Sequence, residues 1–243
     1  MDVERKIHAV ILAAGKGTRM RGTKPKLLIE VEGKPIIAHV VQACQIPEIE
    51  KIYLVVGSGA EMIRKAVESG CEFVVQRKQL GTGHALMQTQ RLLRNYRGDL
   101  VVLVGDSPFL TSRLVRRLIK RHQESGVAAT FLTTKYADPP PYGRIIRDTA
   151  GKVVDVKEEN RCTSEQKRIK EVVTSHYSFR AEIVLPLLSE IRYDNPKREY
   201  YLTDIIPILI RHGYEVETVK VSDPRSVFGI NDTRDLKWAM QKS

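Results

Sequence analysis

The chain has 243 residues, 42% hydrophobic and 28% charged, an ordinary balance for a folded protein that excludes disorder as its general state. Its three cysteines, Cys44, Cys71 and Cys162, are widely spaced with no Cys-x-x-Cys, which argues against a disulfide framework or a cysteine zinc site. Lys and Arg number 40 against 29 Asp and Glu, and the resulting +11 invites a polyanion: nucleic acid, a membrane surface or a phosphorylated small molecule.

The N-terminal part alternates strand and helix signals. His8-Ala-Val-Ile-Leu12 is an apolar run that ends in a glycine-rich loop. Pro35 to Gln45 reads as a helix with proline in its first turn. A strand is expected over Ile52–Val56, a helix over Ala60–Glu68, a strand over Glu72–Val75 and a helix over His84–Tyr96. Asp99–Val104 is a near-continuous apolar strand of the kind a sheet buries on both faces. Thr111 is a suitable N-cap for a helix running to about Gln123, and Val127–Thr134 is another strand. The pattern changes after Lys135. Asp138-Pro-Pro-Pro141 is a stiff connector, and Gly143–Arg147 with Lys152–Val156 flank a turn, as in a β-hairpin. Strands over Val172–Phe179 and Glu215–Val221 are expected, with helices over Ala181–Ile191, Tyr201–His212 and Thr233–Gln241.

This alternation predicts an α/β fold with a doubly wound, mixed but mostly parallel sheet. One domain over 1–243 is expected, with a core half of about 1–134, a smaller antiparallel lobe over about 135–225 and a closing segment over 226–243. The polar start Met1–Lys6 is unlike a signal peptide, and no apolar run approaches the roughly 18 residues of a membrane helix. A reducing, cytoplasmic setting follows as the expectation. The charge is spread through the chain with no long like-charge tail, so net charge alone does not choose among the three polyanions. The absence of a recognisable nucleic-acid module or aromatic stacking motif argues against nucleic acid.

Leu12-Ala-Ala-Gly-Lys-Gly-Thr-Arg-Met20 follows the first strand directly. Such a loop turns main-chain N–H groups toward a phosphate. Its glycine spacing does not match the P-loop, and Met20 stands where a dinucleotide fingerprint needs glycine. Arg19 and the Lys24-Pro25-Lys26 stretch add cations suited to a triphosphate; a generic tight turn with surface cations is the plainer alternative.

With Lys24-Pro25-Lys26, this loop resembles the signature of sugar-1-phosphate nucleotidylyltransferases. Other segments match in order. Val75-Gln-Arg-Lys-Gln-Leu-Gly-Thr-Gly-His-Ala85 is similar to a segment of N-acetylglucosamine-1-phosphate uridylyltransferases, and Val104-Gly-Asp-Ser-Pro108 to their Gly-Asp-x-Pro. Tyr142-Gly-Arg144, Glu199-Tyr-Tyr-Leu-Thr-Asp204 and Gly229-Ile-Asn231 resemble three further motifs. The resemblance covers residues 7 to about 235. It implies a Rossmann-like nucleotide-diphospho-sugar transferase fold whose smaller lobe binds the sugar. It also implies an enzyme that makes a UDP-sugar and pyrophosphate from UTP and a sugar-1-phosphate, first N-acetylglucosamine-1-phosphate, otherwise a hexose-1-phosphate, with uridylyl or thymidylyl transfer.

The same resemblance assigns roles. Arg19 and Lys26 are the catalytic cations, the first on the β- and γ-phosphates and the second near the reacting centre. Leu12, Ala13, Ala14, Gly15, Gln76, Gly81 and Thr82 contact the nucleotide; Gly143, Glu158, Val173 and Thr174 contact the sugar. Asp106 and Asn231 hold one or two Mg²⁺ ions, a sparse set of protein oxygens that suits this ion. Plainer readings stand beside these: Asp106 or Thr203 as a helix cap, Glu158 as part of a solvated charged face, His84 as a packing residue at a helix start. No general base is expected, because a phosphate monoester with a second pKa near 6 is already an anion at neutral pH. Two departures stand out. Glu171-Val-Val-Thr-Ser175 has Val173 where the N-acetylglucosamine enzymes carry an asparagine, and an apolar residue there is more like the hexose-1-phosphate members. No hexapeptide repeat follows, so acetyl transfer by a β-helix is not expected of these 243 residues.

Overall fold

The computed structural model describes residues 5–15, 25–67, 70–193, 195 and 198–241. Strand β1 (Ile7–Ala13) is buried along its whole length. It is followed by β2 (Glu30–Val31) and β3 (Lys34–Pro35), a small antiparallel ribbon, then α1 (Ile36–Cys44), β4 (Ile49–Val56) and α2 (Ala60–Ala66). Next come β5 (Cys71–Val75), α3 (Thr82–Met87), β6 (Asp99–Val104), α4 (Ser112–Ser125) and β7 (Ala129–Lys135). The chain continues through β8 (Arg144–Arg147), β9 (Val153–Lys157), α5 (Ser164–Lys167), β10 (Glu171–Arg180) and α6 (Ala181–Leu187). It closes with α7 (Ile205–Arg211), β11 (Val216–Val221) and α8 (Thr233–Gln241).

The main sheet runs β11-β7-β10-β6-β1-β4-β5. All neighbours along this path are parallel except β10, which lies antiparallel between β6 and β7. Both faces are covered, as the apolar strands require. Alternate residues of β1 point to opposite sides: Ala9, Ile11 and Ala13 pack with α1 and α4, and Val10 and Leu12 pack with α3, α6 and α7. The β8–β9 hairpin joins this sheet through the pairing of Arg144 with Val172. Strands β10 and β11, both within the 135–225 stretch, therefore belong to the same sheet as β1.

The antiparallel setting of β10 decides what meets at the edge of the sheet. Strands β1, β6 and β7 deliver their carboxyl ends there, and β10 delivers its amino end, Glu171–Thr174. Ligands of open α/β sheets bind at this edge. A register break lies between Val173 and Tyr177, where β10 carries two more residues than β7. Ser175 sits in this bulge with φ at +58°, in the left-handed region.

Several expected elements are shorter or divided. The helix expected over 84–96 ends at Met87. Beyond it, Gln88, Thr89 and Gln90 donate three residues back, and the Thr89 hydroxyl takes the Leu86 carbonyl, so the chain tightens into successive turns. The expected 181–191 helix passes into a 3₁₀ turn at Leu188–Glu190, two residues after Pro186, where the Ser189 hydroxyl takes the Pro186 carbonyl at 3.0 Å. The expected 201–212 helix begins as a 3₁₀ turn at Leu202–Asp204. Thr111 does cap α4, accepting from Leu114 N at 3.3 Å.

Candidate functional site

Every sequence-predicted site residue among the described ones lines a single cavity of about 1060 Å³ at this sheet edge. Arg19 lies outside the described residues.

The floor is built from strand ends. Gly105 N donates to Leu12 O at 3.0 Å, which holds the exits of β6 and β1 together. Asp106 follows at once. Its carbonyl accepts from Ile230 N at 2.9 Å, which brings the 229–231 segment across 124 residues of sequence. Gly229 passes so close that a Cβ there would lie 3.0 Å from Asp106 Oδ1. Lys26, in a 3₁₀ turn at Lys26–Leu28, donates from Nζ to Asp106 Oδ2 at 2.7 Å and to Asn231 Oδ1 at 3.2 Å. The Asn231 amide is oriented by its own Nδ2, which donates to Gly229 O at 3.0 Å, and its backbone N donates to Asp235 Oδ2 at 2.7 Å. One carboxylate oxygen and one amide oxygen thus converge on a single cationic centre. The plainer cap role for Asp106 finds no support, because Thr111 caps α4.

Tyr142 ties the floor to the far side. Its buried hydroxyl accepts from Gly229 N at 3.2 Å, and its ring packs against Tyr136 and Phe228. Burial raises the Tyr142 pKa, so the hydroxyl stays protonated. The sequence carries this tyrosine in Tyr142-Gly-Arg144, but nothing local shows that it touches a loop 87 residues away. Arg144 points elsewhere: its guanidinium donates to the carbonyls of Pro140 and Tyr142 and braces the proline connector.

The second wall joins the 76–84 loop to the 199–203 segment. Tyr200 N donates to Leu80 O at 2.7 Å, and Gly83 N to Tyr200 O at 2.8 Å. Thr82 Oγ1 accepts from Leu202 N at 3.0 Å. Gly81 has φ at +101°, and a Cβ would lie 2.6 Å from Tyr200 O, so only glycine fits. Gln76 is 3% exposed; its Nε2 donates to Gly81 O at 3.2 Å and meets His84 Nδ1 at 2.8 Å. His84 stands at a helix start as expected, but it contacts a predicted site residue rather than only packing.

The third wall holds the residues expected to meet a sugar. Val173 N donates to Gly143 O at 2.9 Å, and a Cβ on Gly143 would lie 2.9 Å from Val173 Cγ1. Thr174 is buried, with its hydroxyl donating to Leu132 O at 3.0 Å. Glu158 follows β9, and its Oε1 accepts from Thr203 at 2.6 Å. Thr203 is therefore more than a cap, and Glu158 faces the cavity rather than a solvated surface. Ser175 and Arg198, both with positive φ, also line the cavity and were not singled out by sequence. Their strained backbones leave no mark in local composition.

No helix among the described residues is long and apolar enough to cross a membrane. Nor do the described residues contain a group of three or more His, Cys, Asp or Glu that could hold a metal ion by themselves.

A profile of the MobA-like NTP transferase domain matches residues 9–178. A bifunctional protein GlmU of Pelotomaculum thermopropionicum is 42% identical over 230 residues, which is 95% of this chain and 50% of the relative. One from Enterococcus faecalis is 40% identical over 232 residues, 96% of this chain and 51% of the relative. The chain therefore spans about half the length of the curated relatives it matches. Among solved structures, a putative glucose-1-phosphate thymidylyltransferase from Bacillus anthracis, in complex with a sucrose, superposes with a TM-score of 0.76 at 20% identity. That superposition covers 97% of this chain and 94% of the other, and it shows a shared fold. With a profile match across most of its length, this chain belongs to the MobA-like NTP transferase domain family.

Proposed function

We propose that this chain transfers a nucleotidyl group from a nucleoside triphosphate to a sugar-1-phosphate, with UTP and N-acetylglucosamine-1-phosphate as the preferred pair. The convergence of Lys26, Asp106 and Asn231 on the cavity floor is the observation that carries this reading. A sugar-phosphate oxygen attacks the α-phosphorus; an O–P bond forms, the bond to the β-phosphate bridge breaks, and pyrophosphate leaves with the electron pair. The nucleophile is already ionised, so the protein's task is to bring two polyanions together in line. Lys26 is a compact point charge that neutralises repulsion at the reacting phosphorus. Arg19 is assigned to the β- and γ-phosphates on the family resemblance.

The same donor set fits a divalent cation. A carboxylate and an amide oxygen already face one positive centre, and Mg²⁺ prefers one or two protein oxygens with water and phosphate completing its shell. Asp106 and Asn231 would hold the ion, and it would offset charge on the phosphates. In this reading residues to about 134 bind nucleotide, 135–225 bind sugar and 226–243 complete the metal side. The partners are small ionised metabolites, which suits a cytoplasmic protein.

One observation favours a second acceptor. The apolar Val173 rests against Gly143 on the sugar wall, where an amide would reach an acetamido group. Glucose-1-phosphate, or another hexose-1-phosphate, is the alternative. Pyrophosphate release with Mg²⁺, crossing four nucleoside triphosphates with a panel of sugar-1-phosphates, tests both. Release with UTP and N-acetylglucosamine-1-phosphate supports the first choice. Release with glucose-1-phosphate alone supports the alternative, and no release with any pair contradicts the proposed function.

A further inference from the structure

Gln76 has two amide hydrogens and one carbonyl oxygen. Gly81 O can only accept, so the atom facing it at 3.2 Å is the amide nitrogen. The second amide hydrogen points at His84 Nδ1, 2.8 Å away; with Nδ1 accepting, the neutral ring carries its hydrogen on Nε2, 3.3 Å from the Gln88 amide nitrogen. Burial lowers the His84 pKa, against a smaller raising contribution from the Lys78 main chain, and favours this neutral ring. His84 is itself held in place: its ring stacks on Tyr200, which stacks on Tyr193. Both amide hydrogens of Gln76 are therefore committed to protein. Its oxygen has no protein partner among the described residues and belongs to the cavity wall. The Gly81 N–H beside it likewise has no acceptor among the described residues.

We infer that His84 is a positioning residue that sets nucleobase choice by locking the Gln76 amide with its oxygen toward the cavity. A fixed acceptor next to a fixed donor complements the N3–H and O4 of uracil or thymine. Cytosine presents the reverse pattern, with N3 accepting and N4 donating. A free glutamine would simply flip to suit either base. Here a flip would set Gln76 Oε1 against the Gly81 carbonyl, and would also require the His84 ring to move its hydrogen from Nε2 to Nδ1. The inference rests on the nucleotidyl-transfer reading only in taking this wall as the base site.

The test is calorimetric binding of UTP and of CTP, each with Mg²⁺ and without sugar phosphate, to the full chain and to two variants. The full chain should bind UTP at least about tenfold tighter than CTP, the size expected when a buried polar contact is made or left unmade. His84→Ala should bring that ratio to about threefold or less. His84→Asn, which keeps an acceptor near the Nδ1 position, should retain it. A merely structural histidine would weaken both nucleotides equally, so an unchanged ratio in His84→Ala would overturn the inference. An absence of base preference in the full chain would overturn it too. Turnover of the same full-chain sample with the sugar-1-phosphate panel reports separately on the proposed function. Preserved UTP-selective binding without turnover would therefore contradict that function while leaving the role of His84 standing.

Discussion

The floor of the cavity and the wall proposed to meet the sugar differ in what they offer: charge on the floor, an apolar side chain and neutral or protein-bound polar groups on the wall. On the floor, the polar side chains Lys26, Asp106 and Asn231 engage one another through charge and hydrogen bonds, at positions that an incoming phosphate or cation can take over. On the sugar wall, the polar side chains are already engaged with protein: Thr174 with Leu132 O, and Glu158 with Thr203. The residue between Gly143 and Thr174 is the apolar Val173. Chemistry is thus concentrated where electrostatics is strong and preorganised. In the proposed reading, the sugar is sorted on the wall by shape and by main-chain groups. Changes on the floor should act on the rate, and changes on the sugar wall should act on choice.

The largest effect is expected from Asp106→Asn. Turnover should fall by about 10²–10³, the range seen when a preorganised charge is removed from a reacting centre. Circular dichroism should show the fold unchanged, and turnover near the unaltered level at saturating Mg²⁺ would break the contrast drawn above. Next is an acid effect at the opposite end of the sheet, which serves as a control. His122 is buried, with Nδ1 3.0 Å from Thr130 Oγ1, and burial together with Arg180 and Arg5 lowers its pKa from 6.5 to about 4. The unfolded chain takes up this proton first as pH falls. The stability it confers is complete above about 6.5 and is lost on the way down to about 4. The loss approaches about 3 kcal/mol at 1.36 kcal/mol per unit. Urea titrations at several pH values should show a shallower acid slope in His122→Gln, with kcat at neutral pH little changed. A smaller effect follows from Gly81→Ala, which forces a Cβ into Tyr200 O at a positive φ; about 1–3 kcal/mol of stability should be lost, together with nucleotide affinity. Thermal melts with and without UTP check both. The smallest is Val173→Asn, which should raise the kcat/KM ratio of acetylated over plain hexose phosphate by roughly tenfold, the scale of one added polar contact. An unchanged ratio would remove this residue from the sugar's reach.

The fold was legible wherever periodicity and burial agree. β1 and β6 read as strands because they are apolar throughout, and Thr111 read as a cap because its neighbours form an amphipathic helix. The misread stretches share a cause. Residues 88–96 and 188–190 carry helical patterning, yet in each a threonine or serine hydroxyl takes the carbonyl three residues back where the chain tightens into turns. The site divides in the same way. Lys26 stands 80 residues from Asp106 and 205 from Asn231, so no local pattern links them; only the ordered family motifs did. Thr203 with Glu158, and Tyr142 with Gly229, join segments 45 and 87 residues apart and carry no local signal. Nor did His84 appear as more than a helix-start residue, because its contact with Gln76 depends on the turn at Gly81.

The most direct measurement follows the α-phosphate itself. The full chain would be mixed in excess over UTP labelled at the α-phosphorus, with Mg²⁺ and N-acetylglucosamine-1-phosphate, and quenched within one turnover. Nucleotidyl transfer predicts the label in a UDP-sugar, with one unlabelled pyrophosphate released for each. Label that stays in UTP, or that appears as UMP whether or not sugar phosphate is present, would contradict it.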